Sequence, residues 1–280
     1  LTASAPLVLS MAGALAMLGS SQPSMVAVAA SLFLLFVVAV ALHARLYEDR
    51  PEPERLTQFY LVMSAGGVLG GLFTALIEPL VFDWTWEHPL LILAAAALLP
   101  LAAWSPWLER IFRTPQAFRI AVILLVFLVF AGALRVRNEL WASPEWSALD
   151  VAFFIALIAV AVVLAARRWA FVAASAALIA ALGALAQAQT SFEGVRSRSY
   201  FGIYTVRDTP EGLRNLVHGT TLHGVQSLEP GAETSATTYY GRTSGVGQAL
   251  ASAERLFGKE ARIGVVGLGV GTLACYRQPG

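Results

Sequence analysis

Charge is what this chain has least of. Asp, Glu, Lys and Arg make up 13% of its 280 residues, against roughly 25% in an ordinary soluble domain. The deficit is concentrated before residue 189, which implies membrane spans rather than an oily globule. Lysine is almost missing: Lys259 is the single one, and every other basic side chain is arginine or histidine. The net charge is +1, so the basic footprint of a nucleic-acid binder is absent. The lone cysteine, Cys275, excludes an internal disulfide and a cysteine-rich metal site. Cys275 itself is expected as a small buried hydrophobe. His218 and His223 lie five apart beside a strand, where they are expected to point to opposite faces. No third ligand accompanies them, so no metal is expected. A basic segment before the first apolar run is also lacking. Residues 1–19 therefore read as a span or part of one, not as an intact signal peptide.

What the chain has in abundance is apolar sequence. Hydrophobic residues reach 57%, and the mean hydropathy is +0.67. Seven apolar runs occur, at 6–19, 26–43, 57–77, 89–104, 118–134, 149–166 and 169–188. Their lengths approach the roughly 20 residues that cross a bilayer as a helix. Tryptophans 84, 86, 104, 107, 141, 146 and 169 sit at the run ends, as an interfacial belt requires. Residues 1–188 are thus expected to be a helical membrane domain of about seven spans, in a multi-pass cell-membrane protein. Eight arginines (45, 50, 55, 110, 113, 119, 167 and 168) fall in or beside alternate linkers. The positive-inside rule places those linkers in the cytoplasm. Strict alternation then sends residues 189–280 outside, and a miscounted span would return them to the cytoplasm. Gly66-Gly67 and Gly70-Gly71 form overlapping small-xxx-small pairs on one helix. They are read as a close-packing face, within the chain or in a homo-oligomer, with a backbone-lined transport path as the alternative. Glu78 ends the third run; such a group is a functional candidate inside a membrane and an ordinary one at its interface.

After residue 188 the pattern changes. Residues 200–206 alternate like a strand, and 213–217 and 222–226 are further strand candidates. Residues 244–257 have helical periodicity, with Val246, Leu250, Ala253 and Phe257 on one face. Residues 262–266 read as a buried strand that runs into a turn with glycines at 267, 269 and 271. Glycine there permits positive φ and lets a ligand approach the backbone. A turn of this kind after a strand is the phosphate- or adenosyl-binding corner of a doubly wound fold. The expected organisation is a small antiparallel β region over 189–243, then the start of a Rossmann-like domain over 244–280. The candidate cofactor-binding residues are Gly267, Leu268, Gly269, Val270 and Gly271. A purely structural turn is the alternative.

Three segments in order carry a resemblance: 218–226 (HGTTLHGVQ), 237–247 (TTYYGRTSGVG) and 264–274 (GVVGLGVGTLA). Together with the multi-span region before them, they resemble the membrane-fused bacterial branch of the spermidine synthase-like family. That resemblance implies an aminopropyltransferase of polyamine biosynthesis. It implies decarboxylated S-adenosylmethionine as cofactor and a small amine as acceptor. It also implies Gln226, Tyr240, Tyr239 and His223 as substrate-side residues, and a catalytic carboxylate beyond Gly280. The chain departs from the soluble members at Thr237, Thr238, Gly241 and Arg242, where they carry acidic groups or histidine. It departs again at Val270, where their turn has an aspartate. Two other readings stand beside this one: an S-adenosylmethionine-dependent methyltransferase, and a transporter or sensor whose soluble domain binds polyamine or nucleotide without chemistry.

Overall fold

The computed structural model describes residues 4–18, 25–100, 115–142, 147–165, 167–267 and 269–277. The chain divides into two compact units, Leu1–Gln189 and Thr190–Gly280.

The first unit is helical throughout its described elements. α1 (Ala5–Leu18), α2 (Met25–Glu48) and α3 (Leu56–Leu72) come first. A π turn (Phe73–Ile77) joins α3 to α4 (Glu78–Val81). Then follow α5 (Glu87–Leu98), α6 (Pro115–Ala142), α7 (Ala148–Leu164) and α8 (Arg168–Ile179). A second π turn (Ala180–Ala184), kinked at Gly183, leads into α9 (Leu185–Phe192). Among the described residues, each of the seven apolar runs contributes a helix. Apolar sequence without water must close its own backbone hydrogen bonds, and a helix does so within one segment. Among the described residues, three stretches are long and apolar enough to cross a membrane: Met25–Glu48, Pro53–Val81 and Arg168–Phe192.

α8 is the centre of this unit. Its alanines bring neighbouring helices close, and Phe171, Ala174, Leu178 and Ile179 are buried on it. They pack with Leu9 and Ala12 of α1, Ile92 and Ala96 of α5, and Leu157 and Ala161 of α7. α3 is the opposite case, since none of its residues is buried. Among the described residues, the close packing expected at Gly66, Gly67, Gly70 and Gly71 is not made: a Cβ on any of them would meet nothing within 4 Å. Trp169, 75% exposed at the start of α8, fits an interfacial position. Glu78, by contrast, is buried at 1% exposure, which answers the expectation of an ordinary surface group at a span end.

The second unit opens with a four-stranded antiparallel meander, order β1-β2-β3-β4. The strands are β1 (Arg196–Ser199), β2 (Gly202–Asp208), β3 (Leu213–His218) and β4 (Thr221–Ser227). The strand expected over 200–206 starts later than read. Tyr200 and Phe201 form the reversal between β1 and β2, because Arg196–Ser199 pairs back onto 202–205. β3 and β4 are joined by a two-residue turn at Gly219-Thr220, with Gly219 at φ +59. The ladder slips between Leu216 and Val217: Val217 faces Leu222, whereas Leu216 faces Gly224. His223 is the extra residue of that bulge.

Two expectations fail beyond the sheet. The helix over 244–257 is two pieces, α10 (Gly245–Ala251) and α11 (Ala253–Phe257), broken at Ser252. Phe257 is 78% exposed rather than on a buried face. The buried strand over 262–266 is not formed either, and Ile263 and Val265 are each 54% exposed. A strand is defined by its ladder, and the four described strands pair only with one another.

One ion pair has a clear pH signature. Asp208 and Arg214 are directly opposed across β2 and β3. Arg214 Nε and Nη2 donate to the two carboxylate oxygens at 2.7 and 2.9 Å. The Arg214 hydrogen bond holds the Asp208 carboxyl below the usual carboxylate range. A depressed folded pKa means that the pair's contribution is full above the ordinary Asp range and is lost as pH falls through the folded value. Hydrogen-exchange protection of the β2–β3 amides should therefore fall in acid. In Asp208→Asn it should be lower at neutral pH and flatter across that acid range. An unchanged acid profile in the variant would assign the loss to another group.

Candidate functional site

The glycine turn adopts the backbone that its sequence suggests. Gly267, Gly269 and Gly271 have φ of +90, +54 and +74, a region that favours residues without Cβ. Leu268 lies outside the described residues. A 3-10 turn, Thr272–Tyr276, follows. It leaves Cys275 half-buried rather than enclosed.

Two contacts fix the turn against the rest of the unit. Val270 sits over Gly224 of β4, so that a Cβ on Gly224 would run into the Val270 side chain. Gly224 is buried. Gly269 faces the Tyr240 hydroxyl, which would lie 3.6 Å from a Cβ at that position. Tyr240 belongs to the short turn Thr238–Tyr240. That turn is tied to β4 at two points. Thr237 Oγ1 donates to the Val225 carbonyl, and Tyr239 Oη donates to the His223 carbonyl at 2.8 Å. The Tyr239 and Tyr240 rings are 4.4 Å apart. Desolvation first, and then the adjacent Tyr240 phenol, raise the Tyr239 hydroxyl above its ordinary pKa. It is thus a neutral donor at physiological pH.

The three sequence segments singled out above meet here. His223, Tyr239 and Tyr240 are gathered beside the glycine turn. Gln226 is exposed, and its amide Nε2 donates to the Glu233 carbonyl at 3.2 Å, so it ties down the loop after β4. Arg242 lies near the Tyr276 ring, 5.9 Å from its centroid.

The two histidines correct an expectation. Their rings are not on opposite faces: the centroids are 5.6 Å apart. They stand on paired strands, and the bulge at residue 223 shifts the alternation. His218 Nε2 donates to the Phe201 carbonyl at 2.8 Å, and its ring stacks on Tyr204 at 4.3 Å.

Two residues of the site escaped the sequence reading. Gly224 is one, and a glycine inside a strand was the available signal, since it marks close backbone approach. Tyr276 is the other: its hydroxyl donates to the Tyr240 carbonyl at 2.6 Å and stands against buried Gly247. Nothing local in the sequence marks it.

Gly224→Ala should destabilise the second unit by about 1–3 kcal/mol, the usual cost of overpacking. Val270→Ala in the same chain should restore part of that loss. Thermal unfolding of the single and double variants checks the coupling, and strictly additive effects would show that the contact does not hold the turn.

No protein-family model matches the chain, and no match is found among curated proteins or solved structures.

Proposed function

We propose that the complete protein is a membrane-anchored transferase of the spermidine synthase-like kind. Its 267–271 turn binds the adenosyl sulfonium of decarboxylated S-adenosylmethionine. The carrying observation is the convergence of the three segments, with Val270 seated on Gly224 and Gly269 facing the Tyr240 hydroxyl. Glycines at positive φ open backbone to a ligand, and the tyrosine pair supplies aromatic faces suited to a cation.

In the reaction, the lone pair of an amine nitrogen attacks the methylene carbon next to the sulfonium. The carbon–nitrogen bond forms as the carbon–sulfur bond breaks. The bonding pair goes to sulfur and leaves a neutral thioether. The new ammonium must then lose a proton to a base. Gly224, Tyr239, Tyr240 and His223 carry no carboxylate, so this group of residues positions the cofactor and does not itself hold a carboxylate base. The helical unit supplies the membrane anchor.

Gly269→Val in the full-length protein should abolish cofactor binding: valine is strained at φ +54 and points at the Tyr240 hydroxyl. Calorimetry with both decarboxylated and intact S-adenosylmethionine is the measurement. Binding of the intact form alone moves the assignment to a methyltransferase, and unchanged binding of both in the variant removes the site.

The cofactor is made in the cytoplasm, so residue 197 should be labelled from that side when cysteine replaces serine there. Because Arg168–Phe192 is long enough to cross, a cysteine at position 168 should be labelled from the opposite side. Extracytoplasmic labelling at 197 would remove the transferase reading.

A further inference from the structure

A second place in the molecule has polar groups without an obvious use. α1, α5 and α8 enclose a small cavity lined by Leu9, Ser10, Gly13, Ile92, Ser175 and Leu178, among others. Ser10 and Ser175 are each 2% exposed. Neither hydroxyl has a hydrogen-bond partner among the described residues. Hydroxyls on helices usually satisfy themselves by donating to the carbonyl four residues back. Others here do so: Ser31 donates to Ala27 at 2.9 Å, and Thr74 to Gly70 at 3.1 Å. Ser10 and Ser175 instead line one shared space.

We propose that this cavity is a binding site for a single water, bridging Ser10 Oγ on α1 and Ser175 Oγ on α8. The chemistry of the lining selects the guest. The room suits one water-sized molecule. The residues around the two hydroxyls are apolar or glycine; with no charge to compensate it, a cation is excluded by its desolvation cost. A purely apolar guest would leave both hydroxyls unsatisfied. A neutral molecule that donates and accepts fits both. Such a water is a polar tie at the centre of the bundle, where α8 packs against its neighbours. The site rests on the helical unit alone, and failure of the transferase reading leaves it standing.

The test uses the full-length protein in nanodiscs and thermal unfolding. Ser10→Ala and Ser175→Ala should each lower the midpoint by a few degrees. The double variant should lose less than the sum, because the second removal leaves no further orphaned group. If both single variants raise the midpoint additively, the cavity is dry and the proposal fails. Gly13→Ala separates a bridging water from a direct hydroxyl–hydroxyl bond. A Cβ there meets Ile92 Cγ2 at 3.4 Å, an ordinary contact, and alanine favours the helix. With water present, the added methyl crowds it and the midpoint falls. A rise in the Gly13→Ala midpoint means that nothing is displaced, and it overturns the proposal.

Discussion

Hydrogen bonding without water is the constraint that organises this molecule. A peptide group removed from water must find a partner or lose several kcal/mol. In the first unit the described helices of the apolar runs meet that demand within themselves. In the second unit the four strands meet it by pairing in sequence order. Residues 262–266 have the composition of a buried strand but pair with none of these four. They stay outside the sheet and exposed, so apolar composition alone does not make a strand. The same demand singles out Ser10 and Ser175, whose hydroxyls are as enclosed as the leucines around them.

Glycine then decides where the second unit closes up. Gly224 removes one side chain from the face of β4 at the bulge, and Val270 occupies the space. This contact brings a turn rich in left-handed glycines beside a tyrosine pair held by its own hydrogen bonds. Tyr276 reinforces the arrangement from the following 3-10 turn through the Tyr240 carbonyl. A ligand at the turn would therefore meet backbone on one side and phenol on the other. Gln226 belongs to a different part of the same strand. Its amide spends one hydrogen on the Glu233 carbonyl, and its nearest consequence is the order of residues 229–235.

Helices in the apolar half were legible because composition and run length answer to one physical demand. The hairpin strands were legible from alternation, though Tyr200 and Phe201 show its limit. They continue the polar–apolar rhythm and still form the turn, since register depends on what Arg196–Ser199 pairs with. The bulge at His223 was not legible, because a one-residue slip is set by the partner strand. It reversed the expected relation of the two histidines. Phe257 and the exposed 262–266 run have the same origin: periodicity states which face is apolar, not whether anything covers it. α3 carries this furthest, with four glycines ready for close approach and nothing among the described residues against them.

The side of the membrane on which the second unit lies turns on one helix. Whatever the earlier spans do, residues 190–280 share a face with Arg167 and Arg168 only when Arg168–Phe192 does not cross. Its length and composition suffice to cross, in which case its two ends would lie on opposite faces. Arg196, Arg198 and Arg207 then oppose Arg167 and Arg168 across the bilayer. Arginine near span ends favours the cytoplasm on either side, and the two groups compete for it. The earlier linkers add Arg45, Arg50, Arg55, Arg110, Arg113 and Arg119 to the weight of the second group. A cytoplasmic second unit, which the transferase proposal requires, must outweigh them, and a folded domain translocates or stays largely regardless of such charges. Under the transferase proposal the domain is cytoplasmic, whereas the arginines favour the cytoplasm for Arg167 and Arg168. If Arg168–Phe192 crosses, only one of these two demands is met.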